Sequence, residues 1–106
     1  MRIPTNRAPV TPGEMLEEEF LKPLGISQSE LARRLGISFP RVNEVIKGKR
    51  PLTPDTALRL GYLFGTTPDF WLNIQHACDL YELHHSKKAR AVKREVKRLP
   101  ALARAS

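Results

Sequence analysis

Side chains suited to reading DNA bases are concentrated in residues 38–44, SFPRVNE. Arginine can donate to both acceptors of guanine, asparagine matches the donor and acceptor of adenine, and phenylalanine or proline can lie against a thymine methyl group. A helix gains nothing by burying such a set in its own core. We therefore expect base contacts from the outer side of a helix, namely from Ser38, Phe39, Pro40, Arg41, Asn43 and Glu44.

Residues suited to phosphate groups lie on both sides of this set. Lys47, Lys49 and Arg50 come at and beyond the end of the same helix, where cations suit the DNA backbone. Gln28 is the first residue of the preceding helix, and the free N–H groups at a helix N-terminus favour an anion. We expect these four residues to hold phosphates.

Two short helices joined by a tight turn would position these side chains. The first begins with a capping box, in which the side chains of Ser27 and Glu30 each bond the other residue's N–H, and Gly36 lets the chain reverse. Ser38 caps the second helix and Gly48 closes it. One side of each helix is apolar: Leu31, Ala32 and Leu35 in the first, and Val42, Val45 and Ile46 in the second.

A helical hairpin with a solvated polar face is the alternative interpretation of this stretch. Three features together favour a DNA-binding helix-turn-helix: the capped start, the glycine at the turn, and six basic residues against one acidic residue from Arg33 to Arg50. The major groove of B-DNA admits one α-helix, and the residues near the N-terminus of that helix reach base edges.

Length and composition limit the class of protein. A chain of 106 residues fits one domain with a single small core, and no apolar run is long enough for a membrane span or a secretory signal. The one cysteine, Cys78, cannot make an internal disulfide, which favours a reducing, cytoplasmic location. Residues 1–85 carry ten basic and ten acidic residues, so residues 86–106, with eight basic residues and one acid, hold the whole net charge of +7.

Repeated start signals predict the remaining helices. Thr11-Pro12 begins a helix that the segment 23–25, Pro-Leu-Gly, should end. Thr53-Pro54-Asp55 begins a helix that runs from about Pro54 to Phe64, and Thr67-Pro68-Asp69 begins the fifth. The run Glu17–Glu19 is interpreted as a solvated helix face rather than a metal or partner site, because three adjacent side chains point around a helix.

The fifth helix is apolar on more than one face. Phe70, Trp71 and Ile74 suit an internal core, whereas a second chain would cover the apolar residues farther out. We expect a homodimer contact from Leu80, Tyr81 and Leu83. A two-fold dimer sets two recognition helices one DNA turn apart, roughly 34 Å, and requires an operator with an inverted repeat.

No metal or cofactor site is expected. His76, His84 and His85 lie near Cys78 and Asp79, but their spacing does not close a tetrahedral site. Neither a phosphate-binding glycine loop nor a catalytic triad is indicated, so we expect no enzyme.

The two ends of the chain differ in character. Residues 1–10 suit an extended arm whose Arg2 and Arg7 could reach DNA, although a disordered end is the favoured interpretation. In residues 86–106, Ala89, Val92, Val96 and Leu99 have helical spacing, which predicts an amphipathic helix ending before Pro100. Its basic face could meet DNA backbone, an acidic protein surface, RNA or only solvent.

The segment TPGEMLEEEFLKPLGISQSELARRLGISFPRVNEVIKGKR, followed by LTPDTALRLGYLFGTTPDFWLNIQ, closely resembles the HigA/VapI-type antitoxins of the XRE, or lambda repressor-like, helix-turn-helix group. The resemblance runs from about Arg2 to Asp79. Its most specific parts are PGE-x-L-x-EEFL, VNE-x-x-x-GKR, DTALRL and FWLN-x-Q.

This resemblance implies a dimeric repressor that binds its own double-stranded operator and silences a RelE-like, mRNA-cleaving ribonuclease toxin of the HigB type. A stand-alone phage-type repressor without a toxin is the alternative, and an RNA-binding protein is a remoter one. We expect an all-α protein with an extended arm at 1–10, a compact five-helix lambda repressor-like DNA-binding and dimerisation domain at 11–85, and a basic tail at 86–106 with helical periodicity.

Overall fold

The computed structural model describes residues 8–100, and six helices follow one another there without a β-strand. Helix α1 has three consecutive segments, Pro12–Leu16, the π-helical Glu17–Leu21, and Lys22–Leu24. The others are α2 (Gln28–Leu35), α3 (Phe39–Ile46), α4 (Pro54–Phe64), α5 (Pro68–His84) and α6 (Lys87–Glu95). The expected all-α class with a helix-turn-helix is confirmed, and a sixth helix lies in the basic tail. Arg2 and Arg7 of the expected arm lie outside the described residues.

Short polar side chains start the first five helices. Each accepts a hydrogen bond from the backbone N–H three residues later, at 3.0–3.3 Å, and the five are Thr11, Ser27, Ser38, Thr53 and Thr67. The capping box at Ser27 is only half formed. The Glu30 carboxylate accepts from Arg34 Nε at 3.1 Å instead of returning to the Ser27 N–H.

Helix α1 ends within the expected segment 23–25, but it passes through Pro23 before it does so. Proline lacks an N–H, and its ring crowds the carbonyl four residues earlier. The backbone widens into a π-helical turn just before Pro23, in which the N–H of Lys22 reaches back to the carbonyl of Glu17. We attribute the passage of the helix through Pro23 to this widening, and the left-handed Gly25 (φ 66°) then ends the helix.

The core is centred on Trp71, which is 0% exposed. Its indole Nε1 donates to Thr66 Oγ1 at 2.8 Å, and its rings lie 5.1 Å from the rings of Phe20 and of Phe70, centroid to centroid. The apolar sides expected for α2 and α3 are turned toward this centre. The buried residues are Leu16, Leu21, Leu31, Ala32, Leu35, Val42, Val45, Leu52, Ala57, Leu60 and Trp71.

The C-terminal part extends away from this core. The described chain measures 54 × 25 × 25 Å, and beyond Trp71 no described residue of α5 or α6 is fully buried. Helix α6 stops at Glu95, earlier than expected, because Val96 is extended (φ −78°, ψ 125°). Val96 and Leu99 are exposed and add no packing to prolong the helix, and Pro100 disfavours helical backbone at Leu99.

Gly13 brings the start of α1 against the end of α3. A Cβ at this position would lie 2.3 Å from the carbonyl oxygen of Ile46, so the two helices can touch only with glycine here.

We expect Gly13→Ala to lower the free energy of unfolding by about 1–3 kcal/mol through overpacking, measured by chemical denaturation. The exposed Glu19→Ala on the same helix is the control. If both variants were as stable as the parent protein, the close contact between Gly13 and Ile46 would be contradicted.

Candidate nucleic-acid interface

The apolar sides of α2 and α3 are buried against each other, which turns their polar sides outward. Leu31 and Leu35 of α2 and Val42 and Val45 of α3 are at most 6% exposed. The turn between the helices uses Gly36 in the left-handed conformation (φ 72°). Gln28 on α2 and Asn43 on α3 lie side by side on this outward surface, which we call the α2–α3 surface, whereas Arg41 is turned toward α4.

Gln28 and Asn43 meet across this surface. The Asn43 Nδ2 donates to the Gln28 Oε1 at 2.9 Å, so the residue predicted for a phosphate supports the residue predicted for a base. The bond uses only one hydrogen of the Asn43 amide. Its second Nδ2 hydrogen and its Oδ1 remain a donor and acceptor pair of the kind that matches adenine.

Arg41 is held by the next helix. Its Nη2 donates to Asp55 Oδ2 at 2.9 Å and to Thr56 Oγ1 at 3.0 Å. Both hydrogens of Nη2 are therefore engaged, whereas Nε and Nη1 have none of these bonds. A bidentate contact to guanine uses two guanidinium nitrogens. Because Nη2 is already engaged by α4, Arg41 must loosen these bonds to make its most favourable bidentate contact.

Asp55 binds a second arginine as well. Arg59 Nε donates to the same Oδ2 at 2.9 Å, and Arg59 Nη1 donates to the carbonyl of Leu35 at 2.9 Å. The hydrogen bonds from Arg59 and then Arg41 lower the pKa of Asp55, which keeps it ionised. A network thus links the last residue of α2, the start of α4 and a side chain of α3.

The first turn of α3 presents small and apolar groups. The Ser38 hydroxyl accepts from the Arg41 N–H at 3.3 Å, so its oxygen caps the helix and its O–H is the group left to donate. Phe39 is 46% exposed although it is a large apolar residue, and Pro40 beside it is also exposed. Both are available to lie against a methyl group.

The predicted phosphate contacts after α3 fall into two kinds. Lys47 and Lys49 are exposed, and neither makes an ion pair within residues 8–100. Arg50 instead pairs with Glu44, with 3.5 Å between Nη2 and Oε2. The N–H groups of Lys49 and Arg50 also donate to the Glu44 carbonyl, at 2.8 and 3.2 Å, which fixes the turn after the helix.

The residues predicted for a dimer contact lie on the projecting half of α5. Leu80 is 54% exposed and Leu83 is 42% exposed, whereas Tyr81 is half-buried and its ring stacks on His85 at 4.1 Å. Of the residues assigned to the core, Trp71 is buried and Phe70 remains 37% exposed.

Within residues 8–100, no group of three His, Cys, Asp or Glu side chains could hold a metal ion. In the acidic run of α1, Glu18 accepts from Lys22 Nζ at 2.7 Å as an exposed pair. Within the same residues, every helix is too short or too polar to cross a membrane.

Asp55, Thr56 and Arg59 are the site residues that the sequence interpretation missed. Thr53-Pro54-Asp55 was identified only as a helix start, and an Asp and Arg four residues apart normally form a pair within one helix. The sequence signal that could have identified them is an acidic residue, Asp55, in the first turn of a helix that begins shortly after the recognition helix.

Comparisons with known proteins identify the family of the chain. A helix-turn-helix family model matches residues 18–71. Antitoxin HigA-1 of Vibrio cholerae is 44% identical over 91 residues, which cover 84% of this chain and 86% of the relative.

Two solved structures extend the comparison. One is the Pseudomonas aeruginosa antitoxin HigA with the higBA promoter, 36% identical at a TM-score of 0.79, with 86% of this chain and 98% of that chain covered. The other is antitoxin GraA in complex with its operator, 39% identical at a TM-score of 0.80, with 92% and 98% covered. Sequence and structure therefore place the chain in the XRE-type helix-turn-helix family, among the HigA antitoxins.

Proposed function

We propose that the protein is the antitoxin of a type II toxin–antitoxin module, acting as a homodimer that represses its own operator and neutralises a RelE-like toxin of the HigB type. Its family consists of helix-turn-helix regulators rather than enzymes. Two solved relatives are bound to a promoter or an operator, which supports the DNA-binding half of the proposal. The cytoplasm is the proposed location.

The bond between Gln28 and Asn43 is the observation that carries the DNA-binding proposal. It holds the Asn43 amide in one orientation before DNA arrives, at 2.9 Å from Gln28, and preorganisation reduces the entropy lost on binding. Ser38, Phe39, Pro40, Arg41, Asn43 and Glu44 then face the bases, and Gln28, Lys47, Lys49 and Arg50 face the phosphates.

A homodimer supplies the two recognition helices that an inverted repeat requires. Leu80, Leu83 and the half-buried Tyr81 form its proposed contact, since their exposed apolar surface lies beyond the core of one chain. In the domain scheme that follows, residues 11–85 hold both DNA binding and dimerisation, residues 1–10 are an arm and residues 86–106 a basic tail.

The toxin is proposed from the antitoxin relatives alone. A stand-alone phage-type repressor without a toxin is the second candidate, favoured by the relatives that are named only as transcriptional regulators. A small basic RelE-like reading frame next to the gene distinguishes the two.

An operator titration tests the base and phosphate assignments together. We expect Asn43→Ala to weaken the free energy of binding to an inverted repeat from upstream of the gene by about 1–3 kcal/mol, and to relax the base preference at one base pair per half-site.

Lys49→Ala should weaken binding to all duplexes alike. It should also reduce the slope of log K against log salt by about one unit per protomer, because one cation no longer neutralises a phosphate. Unchanged affinity and base preference in Asn43→Ala would remove Asn43 from the base-contacting set, and an intact repeat that binds no better than one half-site would contradict the dimer.

Releasing Arg41 from α4 should change how well the protein distinguishes its operator from unrelated DNA, and should not prevent folding. We expect Asp55→Asn to raise affinity for an unrelated duplex by a factor of about 2 to 5 and to narrow the gap between operator and unrelated DNA, because Arg41 is no longer partly neutralised. Asp69→Asn is the matched control, since Asp69 holds the same place after Thr67-Pro68 at the start of α5. A loss of operator affinity with unchanged binding to unrelated DNA would mean that Asp55 positions Arg41 instead of restraining it.

Coexpression tests the antitoxin half. The full chain, coexpressed with the tagged product of an adjacent RelE-like frame, should copurify with it in fixed stoichiometry at salt high enough to strip nucleic acid. The purified chain should also stop that product's cleavage of mRNA on ribosomes. If the two proteins do not associate and cleavage continues while operator binding is intact, the protein is a stand-alone repressor.

A further inference from the structure

A dense cluster of unassigned positive charge within residues 8–100 lies on α6. Four of its cations, Lys87, Arg90, Lys93 and Arg94, fall within an arc of about 120° at 3.6 residues per turn. All four are exposed, whereas Lys88 and Glu95 lie together on another side. We call the four residues the α6 cationic face.

This face has no acidic partner of its own. The ion pairs found within residues 8–100 all lie between Glu18 and Arg59, so none of them includes a cation of α6. Arg90 has like charges three and four residues away, and such neighbours destabilise a helix. A polyanion laid along the face would remove that repulsion.

The apolar side of α6 is turned toward α5. Ala89 and Val92 line a groove with Leu83 and His84, which Lys93 of the cationic face borders, and the Ser86 Oγ donates to the Leu83 carbonyl at 2.6 Å where the two helices meet. The four residues of the α6 cationic face themselves include no apolar side chain. Protein partners usually need apolar or aromatic anchors at the centre of a contact, whereas DNA backbone needs only cations.

The chain limits how far α6 can lie from the part of α5 that borders the proposed phosphate contacts. The turn after the recognition helix shares a cleft with the middle of α5, where Gly48 and Arg50 lie near Asp79 and Glu82. Lys87 is five residues after Glu82 in the sequence. Their Cα atoms are consequently no more than about 18 Å apart, roughly five base pairs of duplex length.

We propose that the α6 cationic face is a second DNA contact, which binds the phosphate backbone of the duplex next to the half-site without reading its sequence. The proposal rests on the operator binding proposed above and adds to it a surface outside the helix-turn-helix. Each phosphate that a cation neutralises releases counterions, so the contact should appear as salt dependence rather than base preference.

The test compares the full-length protein with the variant K87Q/R90Q/K93Q/R94Q, because glutamine keeps helix propensity while removing charge. Binding to an operator duplex with long flanks is titrated over a series of salt concentrations. The slope of log K against log salt should become shallower by about 3 to 4 units per bound protomer, with base preference unchanged. Trimming the flanks should reduce the slope of the parent protein but not that of the variant.

Lys88→Gln is the matched control, since Lys88 is in the same helix but outside the face, and it should leave the slope nearly unchanged. The thermal unfolding temperature should be unchanged in the fourfold variant and in Lys88→Gln, because no residue of α6 belongs to the buried core. A slope that is identical in the parent and the fourfold variant would overturn the proposal. The proposal would also be overturned if the fourfold variant lost affinity only for single-stranded RNA or only for an acidic protein.

Failure of operator binding would look different. If the parent protein does not prefer its operator but the fourfold variant still loses the salt-dependent affinity for any duplex, the DNA contact of α6 stands and the repressor proposal falls.

Discussion

The burial of the apolar sides of α2 and α3 on the core around Trp71 is the constraint on which the rest of the structure depends. Leu31 and Trp71 are both 0% exposed, and Val42 is 2% exposed, so neither short helix can rotate without exposing apolar surface. The contact between Gly13 and the backbone of Ile46 fixes the far end of α3. The orientation of the recognition helix is thus set by packing, not by the residues that would touch DNA.

Polar bonds then adjust the surface that packing has oriented. The Gln28–Asn43 bond holds the Asn43 amide in one orientation, whereas the Asp55 network restrains Arg41. The two side chains that we propose as base contacts are consequently in opposite conditions, one preset and one restrained. Under that proposal the difference contributes to specificity, because only a well-matched base pair repays the loss of the Arg41 bonds.

Much of the fold was predictable because its signals are local. Caps such as Ser27 and Thr53 mark helix starts within one turn, and three- or four-residue apolar spacing identified the buried sides of α2 and α3. The passage of α1 through Pro23 was not predictable, since it depends on a widened turn that no single residue specifies. Arg41 was assigned from residue type alone. Its bond to Asp55 joins positions 14 residues apart, and only the packing of α4 beside α3 reveals it.

The projection of α5 and α6 has a consequence for hydrodynamic measurements. The radius of gyration is 17.4 Å, whereas a compact chain of this length would have about 13 Å. A single protomer will therefore experience more friction than a sphere of its mass and leave a size-exclusion column early, at the volume of a larger globular protein. Elution volume alone would overstate its mass, so light scattering is the appropriate way to count protomers.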